Sequence, residues 1–321
     1  MFSGKPSSGR KERNPSPDLT DMSRVWILAA ATLVGATGAG LASAAVTPSV
    51  DGSVAASPAP TPHGAATTPR PRAVTPVRPQ TTDAAAVQGA MRAVLASAGV
   101  GFEVFDRTTS TVLTSHLADQ RFAAMSQVKL LIALDVLARD NQKVPDDATK
   151  QELHQLLAHS DDRVANRFWT AGGGPAIVTR MVSRLGLSGT RPPGDPGEWG
   201  DTLITAQDMV TVYRYIADRL PEPDRNVILT ALADTSKIAV DGFDQYFGIP
   251  DGIPHTCRAA KQGWGTSGSQ AVMNSTGLVG SDWRYVVIVL ARAPVNSYST
   301  LPAMVTAGAR ALANLVSPAS S

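Results

Sequence analysis

The chain has 321 residues, 43% hydrophobic, 17% charged and 5% aromatic, a composition that excludes a wholly disordered chain. Lys and Arg total 29 against 27 Asp and Glu, but eight basic and four acidic side chains lie in residues 1–82, leaving 21 basic against 23 acidic beyond. A remainder without basic excess carries no electrostatic footprint for nucleic acid, and one cysteine, Cys257, excludes a disulfide framework and any cysteine-rich zinc site.

The first element in chain order is an apolar stretch from Val25 to Val46, preceded by Arg24 and by Lys5, Arg10, Lys11 and Arg13. This is the arrangement of an export signal, and residues 1–46 are read as a signal peptide or signal anchor. The stretch is long enough to span a bilayer, so residues 25–46 give a possible membrane association, while Ala42-Ser43-Ala44 reads as a small-residue cleavage site. Met22 offers a second start with a short positive leader. No cysteine lies near the cleavage site to take a lipid. Residues 47–83 follow as a disordered linker: positions 47–82 hold eight prolines among Ser, Thr and Ala, with no aromatic residue. Such a segment cannot bury enough apolar area to offset chain entropy, and at roughly 3 Å per residue it could reach on the order of 100 Å.

Residues 84–317 form the folded domain. Ala84–Ala98 is expected to be helical, and Gly101–Asp106 and Thr111–Thr114 alternate around a turn as a hairpin. Ser126–Arg139 is apolar on nearly every face, which predicts a helix buried at the centre. Further helices are expected at Asp147–Ala158, Asp162–Thr170, Gly174–Leu185, Ala206–Arg219 and Glu222–Ala233. Strands return at Arg258–Gln262, Ala271–Val279 and Tyr285–Ala291, before a last helix near Pro302–Leu315. Strands at both ends around a helical middle predict an α+β fold: an antiparallel sheet from both termini, flanked by the terminal helices, with an inserted all-helical lobe.

Ser126 opens the buried helix and Lys129 follows one turn later, so both side chains share a face. This is the spacing a serine nucleophile and a lysine base require, since burial lowers a lysine's pKa toward the range where it accepts a proton. Taken alone, the pair is a weak signal and reads better as a helix cap and a snorkelling lysine. Two more motifs stand in order behind it: Ser160-Asp161-Asp162, and Lys261-Gln262-Gly263 on a predicted strand.

With these three motifs the sequence resembles the penicillin-recognising serine enzymes, the class A β-lactamases and D-alanyl-D-alanine peptidases, whose signatures are S-x-x-K, S-D-N and K-T-G. The resemblance extends to Arg121-Phe122, Gly173-Gly174-Pro175, Asp201-Thr202 and Thr205-Ala206-Gln207-Asp208-Met209, and covers 84–317. It is closest to exported actinobacterial β-lactamase-like serine hydrolases, through Trp199-Gly200-Asp201-Thr202, Lys261-Gln262-Gly263-Trp264 and Asn274-Ser275-Thr276-Gly277.

The resemblance implies an acyl-enzyme on Ser126 with Lys129 as base and Ser160 as proton relay. It implies that Lys261 attracts a substrate carboxylate and depresses the pKa of Lys129, and that the N–H groups of Ser126 and Trp264 form the oxyanion hole. Asp162, Lys261, Gln262, Gly263 and Trp264 are then the substrate-binding residues, the substrate is a β-lactam or a peptidoglycan peptide, and no cofactor or metal is implied.

Three departures follow. Asp162 replaces an Asn, losing a donor and placing a carboxylate beside Lys129. Gln262 replaces a hydroxyl residue and is expected to donate its amide from a different distance. The Ω-loop lacks the Glu that, four residues before an Asn, activates water for deacylation; Glu198 is the nearest substitute and reads better as a solvated loop carboxylate. Trp199 and Trp264 suit cleft or core equally. Cys257 reads as a small buried residue, and His154 and His159 are spaced so as not to share a helical face. The alternative to an enzyme is a catalytically impaired β-lactamase fold that binds a wall peptide or a partner protein.

Overall fold

The computed structural model describes residues 83–139, 144–254 and 256–316, so the expected leader at 1–46 and all but the last residue of the linker at 47–83 lie outside the described residues. Its elements are the helices α1 (Ala84–Val94), α2 (Val128–Arg139), α3 (Asp147–Ala158), α4 (Asp162–Ala171), α5 (Pro175–Leu185), α6 (Ala206–Asp218), α7 (Glu222–Ala233), α8 (Ile249–Gly252) and α9 (Leu301–Val316), and seven strands. β1 (Gly99–Asp106), β2 (Thr111–His116), β5 (Arg258–Ser267), β6 (Gln270–Val279) and β7 (Tyr285–Pro294) form one antiparallel sheet in the order β2-β1-β7-β6-β5. β3 (Phe122–Ala123) and β4 (Leu203–Ile204) make a small separate pair.

The period of two along the strands divides the core. Phe102 and Val104 of β1 and Val287, Val289 and Ala291 of β7 pack with α1, α8 and α9. Phe105, Val286, Ile288 and Leu290 face the helical lobe around α2. β7 is buried on both faces, which is why its sequence is a continuous apolar run rather than an alternation. The expected α+β arrangement, an antiparallel sheet from both ends flanked by terminal helices with an inserted helical lobe, is the observed one, and the structure adds that the terminal helices cover one face and the lobe the other.

α2 lies inside the lobe, with Val128, Leu130, Leu131, Ile132, Ala133, Leu134 and Leu137 all buried. Its one acidic residue, Asp135, is 1% exposed and receives Arg180 Nε and Nη2 at 2.8 Å each, with Arg139 at 2.8 Å. Asp135 holds the Arg180 guanidinium above its usual range, and the pair ties α2 to α5. Helix ends follow local chemistry. Asp161 caps α4 by accepting from the N–H groups of Arg163 and Val164, and Gly186 ends α5 in the left-handed region at φ 70°.

Two expectations change. Cys257 is exposed, not buried: its carbonyl accepts from Gly280 N–H at 2.9 Å where the chain enters β5, while its side chain faces solvent. His154 and His159 do meet, ring centroids 5.5 Å apart, because His159 is the cap residue beyond α3 and is not bound to helical spacing.

Candidate active site

Ser126 sits in a short 3-10 turn, Met125–Gln127, between β3 and α2. Met125 is in the left-handed region at φ 49°, a strained setting for a non-glycine residue that turns the chain sharply just before Ser126. Polar groups beneath hold the turn. Asn274 on β6 donates to the carbonyls of Ala123 and Ala124 at 2.9 and 3.2 Å. Gln127 donates to Lys261 O at 2.8 Å and accepts from Thr276 at 2.7 Å. Edge strand β5 closes from the other side: a Cβ on Gly263 would lie 2.9 Å from Ala124 O and 3.3 Å from Ser126 N, so only glycine lets the strand approach this closely.

The buried ammonium of Lys129 is the hub. Its Nζ donates to Ser126 Oγ at 3.0 Å, to Ser160 O at 2.7 Å and Oγ at 3.0 Å, and to Asp162 Oδ1 at 2.5 Å. Lys261 Nζ reaches the same Ser160 hydroxyl at 3.0 Å and its neighbour Gln262 O at 2.9 Å. Ser160, at φ 54°, is presented by the tight junction of α3 and α4; because Asp161 takes the capping role, the Ser160 hydroxyl is left to the lysines.

Burial pushes the pKa of Lys129 down, opposed chiefly by the carboxylate of Asp162. Lys261, fully buried, is pushed well below its ordinary range by burial and then by the charge of Lys129. The repulsion between the two ammonium groups is mutual, so each disfavours the charged form of the other.

Asp162, Lys261 and Gly263 therefore lie together with Ser126, Lys129 and Ser160, but Gln262 does not join them. Successive strand residues face opposite ways, so Lys261 and Gly263 point to the lobe while Gln262 points to the other face. Gln262 is fully buried and donates to Phe247 O at 2.6 Å and Gln245 O at 3.2 Å. The expectation that its amide serves substrate is corrected: it anchors the segment before α8.

Trp264 stands at the rim, stacked on Phe243 at 4.7 Å, its Nε1 donating to Asp241 Oδ2 at 2.9 Å. Glu198 is exposed; what faces Lys129 from the Ω-loop is Trp199, its ring centroid 5.1 Å from Nζ and its Nε1 on Asn166 Oδ1 at 2.7 Å. Sequence reading missed Asp241, Asn166 and Gln127, and used Asn274 and Thr276 only as marks of the resemblance, without a place in the site. The run Asn274-Ser275-Thr276 was a usable signal, three polar residues inside the otherwise apolar stretch Ala271–Val279.

Comparison with solved structures defines the class of fold first. A β-lactamase from Desulfarculus baarsii matches with a TM-score of 0.56 at 20% identity, covering 74% of this chain and 100% of that one. A β-lactamase from Sphaerobacter thermophilus gives 0.56 at 16%, covering 74% and 100%. A mutant of PBP-A, solved as its acyl-enzyme complex with penicillin G, gives 0.57 at 17%, covering 75% and 98%. The chain has the β-lactamase and penicillin-binding-protein fold. No family model matches it. Among curated sequences, the "Putative lipoprotein LppW" of Mycobacterium tuberculosis and of Mycobacterium bovis are each 36% identical over 241 residues, 73% of this chain and 73% of theirs. The chain belongs to the LppW family.

Proposed function

We propose that the chain is an exported serine acyl-hydrolase that forms an acyl-enzyme on Ser126, with β-lactams or D-Ala-terminated peptidoglycan peptides as its acyl donors. The observation that carries this reading is the convergence of Ser126, Ser160 and Asp162 on one buried lysine nitrogen, with Lys261 on the same Ser160 hydroxyl. In the step proposed, neutral Lys129 takes the Ser126 proton as Oγ forms its bond to the acyl carbon. The carbon–nitrogen bond then breaks, and the proton passes through Ser160 Oγ to the departing nitrogen. The N–H groups of Ser126 and Trp264 are assigned to the oxyanion, with Ser126 near a helix N-terminus and Trp264 on the sheet edge.

Hydrolysis of the acyl-enzyme is expected to be slow, because an indole rather than a carboxylate stands over Lys129. A cell-envelope location fits both the apolar segment at 25–46 and a relative named as a lipoprotein, although the one cysteine here is Cys257. The competing reading, a binding protein without turnover, draws on the grip of Asp162 on Lys129, which favours the protonated lysine.

Intact-mass spectrometry of the full chain with a penicillin and, separately, a D-Ala-D-Ala peptide distinguishes them. The expected result is an adduct on Ser126 that decays over minutes or longer and is lost in Ser126→Ala. Absence of any adduct would leave the binding reading.

A further inference from the structure

Ser160 and Lys261 meet side chain to side chain, yet they stand on separate pieces of backbone: Ser160 at the junction of α3 and α4, Lys261 on the edge strand β5. Among the described residues no main-chain hydrogen bond joins residues 158–160 to β5. What spans the gap is the segment 235–247, which runs between α7 and α8 and carries none of the three motifs.

On one side this segment is bonded to β5 at both neighbours of Lys261. Thr235 Oγ1 donates to Ala260 O at 2.7 Å, and the fully buried Gln262 donates its amide to Phe247 O at 2.6 Å and Gln245 O at 3.2 Å. On the other side it holds the two residues before Ser160. Ala158 O accepts from Ser236 N–H at 3.1 Å, from Ser236 Oγ at 3.2 Å and from the amide of the fully buried Gln245 at 3.1 Å. His159 O accepts from Val240 N–H at 3.1 Å. Gln245 belongs to both halves of this clamp: its main-chain carbonyl is held by Gln262, and its side chain holds Ala158.

The clamp meets a local need. Ser160 is in the left-handed region at φ 54°, where a non-glycine residue persists only when its surroundings over-determine it. A carbonyl oxygen has two lone pairs, so three donors saturate Ala158 O and fix its direction. The Ser160 hydroxyl is thereby set 3.0 Å from each lysine nitrogen.

We propose that Gln245 and Gln262 are positioning residues for acylation: through the segment 235–247 they hold Ser160 Oγ against Lys129 and Lys261, and so govern delivery of the proton to the leaving nitrogen. The proposal rests on Ser126 as the acylated residue and Ser160 as the relay. It gives Gln262 a part in the reaction from the face of β5 turned away from the substrate.

The test compares two leaving groups. Attack by Ser126 Oγ on a penicillin forms the acyl ester, breaks the lactam carbon–nitrogen bond and needs a proton delivered to that nitrogen through Ser160. Attack on a p-nitrophenyl ester forms the same kind of bond but breaks a carbon–oxygen bond; p-nitrophenolate leaves without a proton, and the Ser126 proton stays on Lys129. A displaced Ser160 slows the first reaction and spares the second, whereas loss of folded protein slows both alike.

Adduct formation with a penicillin, by intact mass, and the p-nitrophenolate burst from N-acetyl-D-alanine p-nitrophenyl ester are measured on the full chain, with Ser126→Ala as the blank. Gln245→Met and Gln262→Met keep the volume and remove the amide donors; Ser236→Ala, at a half-buried position, is the milder change and takes one donor from Ala158 O. The two Met variants should slow the penicillin about tenfold and Ser236→Ala about threefold, with the ester slowed less than about twofold in each. In a Ser160→Ala background, Gln245→Met should slow the penicillin no further. Equal slowing of both substrates, or a full effect of Gln245→Met without the Ser160 hydroxyl, would overturn the proposal.

No adduct and no burst with the native chain would instead refute the acyl-enzyme reading, and hydrogen exchange then decides the clamp. The N–H groups of Ser236 and Val240 are bonded to Ala158 O and His159 O, not to Gln262. In Gln262→Met they should exchange roughly tenfold faster relative to the amides of β7. Unchanged protection at both would overturn the proposal.

Discussion

Two buried charges on one helix behave in opposite ways. Asp135, in the middle of α2, is matched by two arginines with hydrogen bonds to both oxygens. Lys129, in the first turn, has a single half-exposed carboxylate, two serines and a second lysine close by. The first arrangement stabilises the charge and joins two helices. The second destabilises the protonated form and aims the lysine at a nucleophile. Burial alone therefore does not mark a functional ion; the mismatch between the charge and its surroundings does.

The largest expected effect separates the two in activity. Lys129→Met should slow formation of the Ser126 adduct by roughly 10²–10⁴-fold. It should leave the urea midpoint unchanged or raised, because a hydrophobe of similar volume removes a charge that is costly to bury. Asp135→Ala should do the reverse: about 3 kcal/mol of stability lost, near the low end for a broken buried pair because both arginines are partly exposed, with the adduct rate of the folded fraction unchanged. If both variants lost mainly stability, Lys129 would be one more structural ion and the comparison would fail.

Much of this was legible in the sequence. α3 and α7 begin and end where their patterns put them, and the apolar runs of α2 and β7 announced burial on all sides. The three motifs named Ser126, Lys129, Ser160 and Lys261, which the fold brings into one hydrogen-bonded group. What was not legible depends on the course of loops or on pairs distant in the chain. Nothing local says that Trp199 rather than Glu198 turns toward Lys129, or that Arg180 reaches Asp135. The hairpin carrying Asp241 reaches the cleft only because its backbone bonds to Ala158 and His159. Gln262 is different: once β5 is a strand, its side chain must face away from that of Lys261, so its exclusion from the group was deducible from the pleat alone.

The contrast also predicts a pH dependence of stability. Burial disfavours the protonated forms of Lys129 and Lys261, so the folded chain releases these protons at lower pH than the unfolded chain does. Between those lowered values and the ordinary lysine value of 10.5, the unfolded state holds more protons, and stability rises with pH. Asp161, its carboxyl held below the ordinary range, against burial, by its hydrogen bonds to Arg163 and Val164, adds no slope there. Fully buried Tyr213 and the half-buried Tyr298 and Tyr285 have raised values, that of Tyr298 about 12, and oppose the rise only where an unfolded tyrosine ionises, near pH 10. Urea unfolding between about pH 7 and 9 should therefore show stability climbing for the native chain and a flatter profile for Lys261→Met. An equal slope in both would mean that Lys261 keeps its proton in the folded chain throughout that range.

Asp162→Asn should give the smallest effect and the sharpest one. Its carboxylate is the main influence holding the Lys129 pKa up against burial, through both its charge and its hydrogen bond. An amide keeps much the same shape and can still accept from Nζ, but without the charge. Lys129 should then lose its proton at lower pH, and the limb of the acylation–pH profile that rises with deprotonation should move in the acid direction. Its plateau should change little if Asp162 acts only through the lysine. A drop in the plateau without a move of the limb would mean that the residue touches the acyl donor itself, whereas a move of the limb alone assigns its influence on the chemical step to the charge it sets on Lys129.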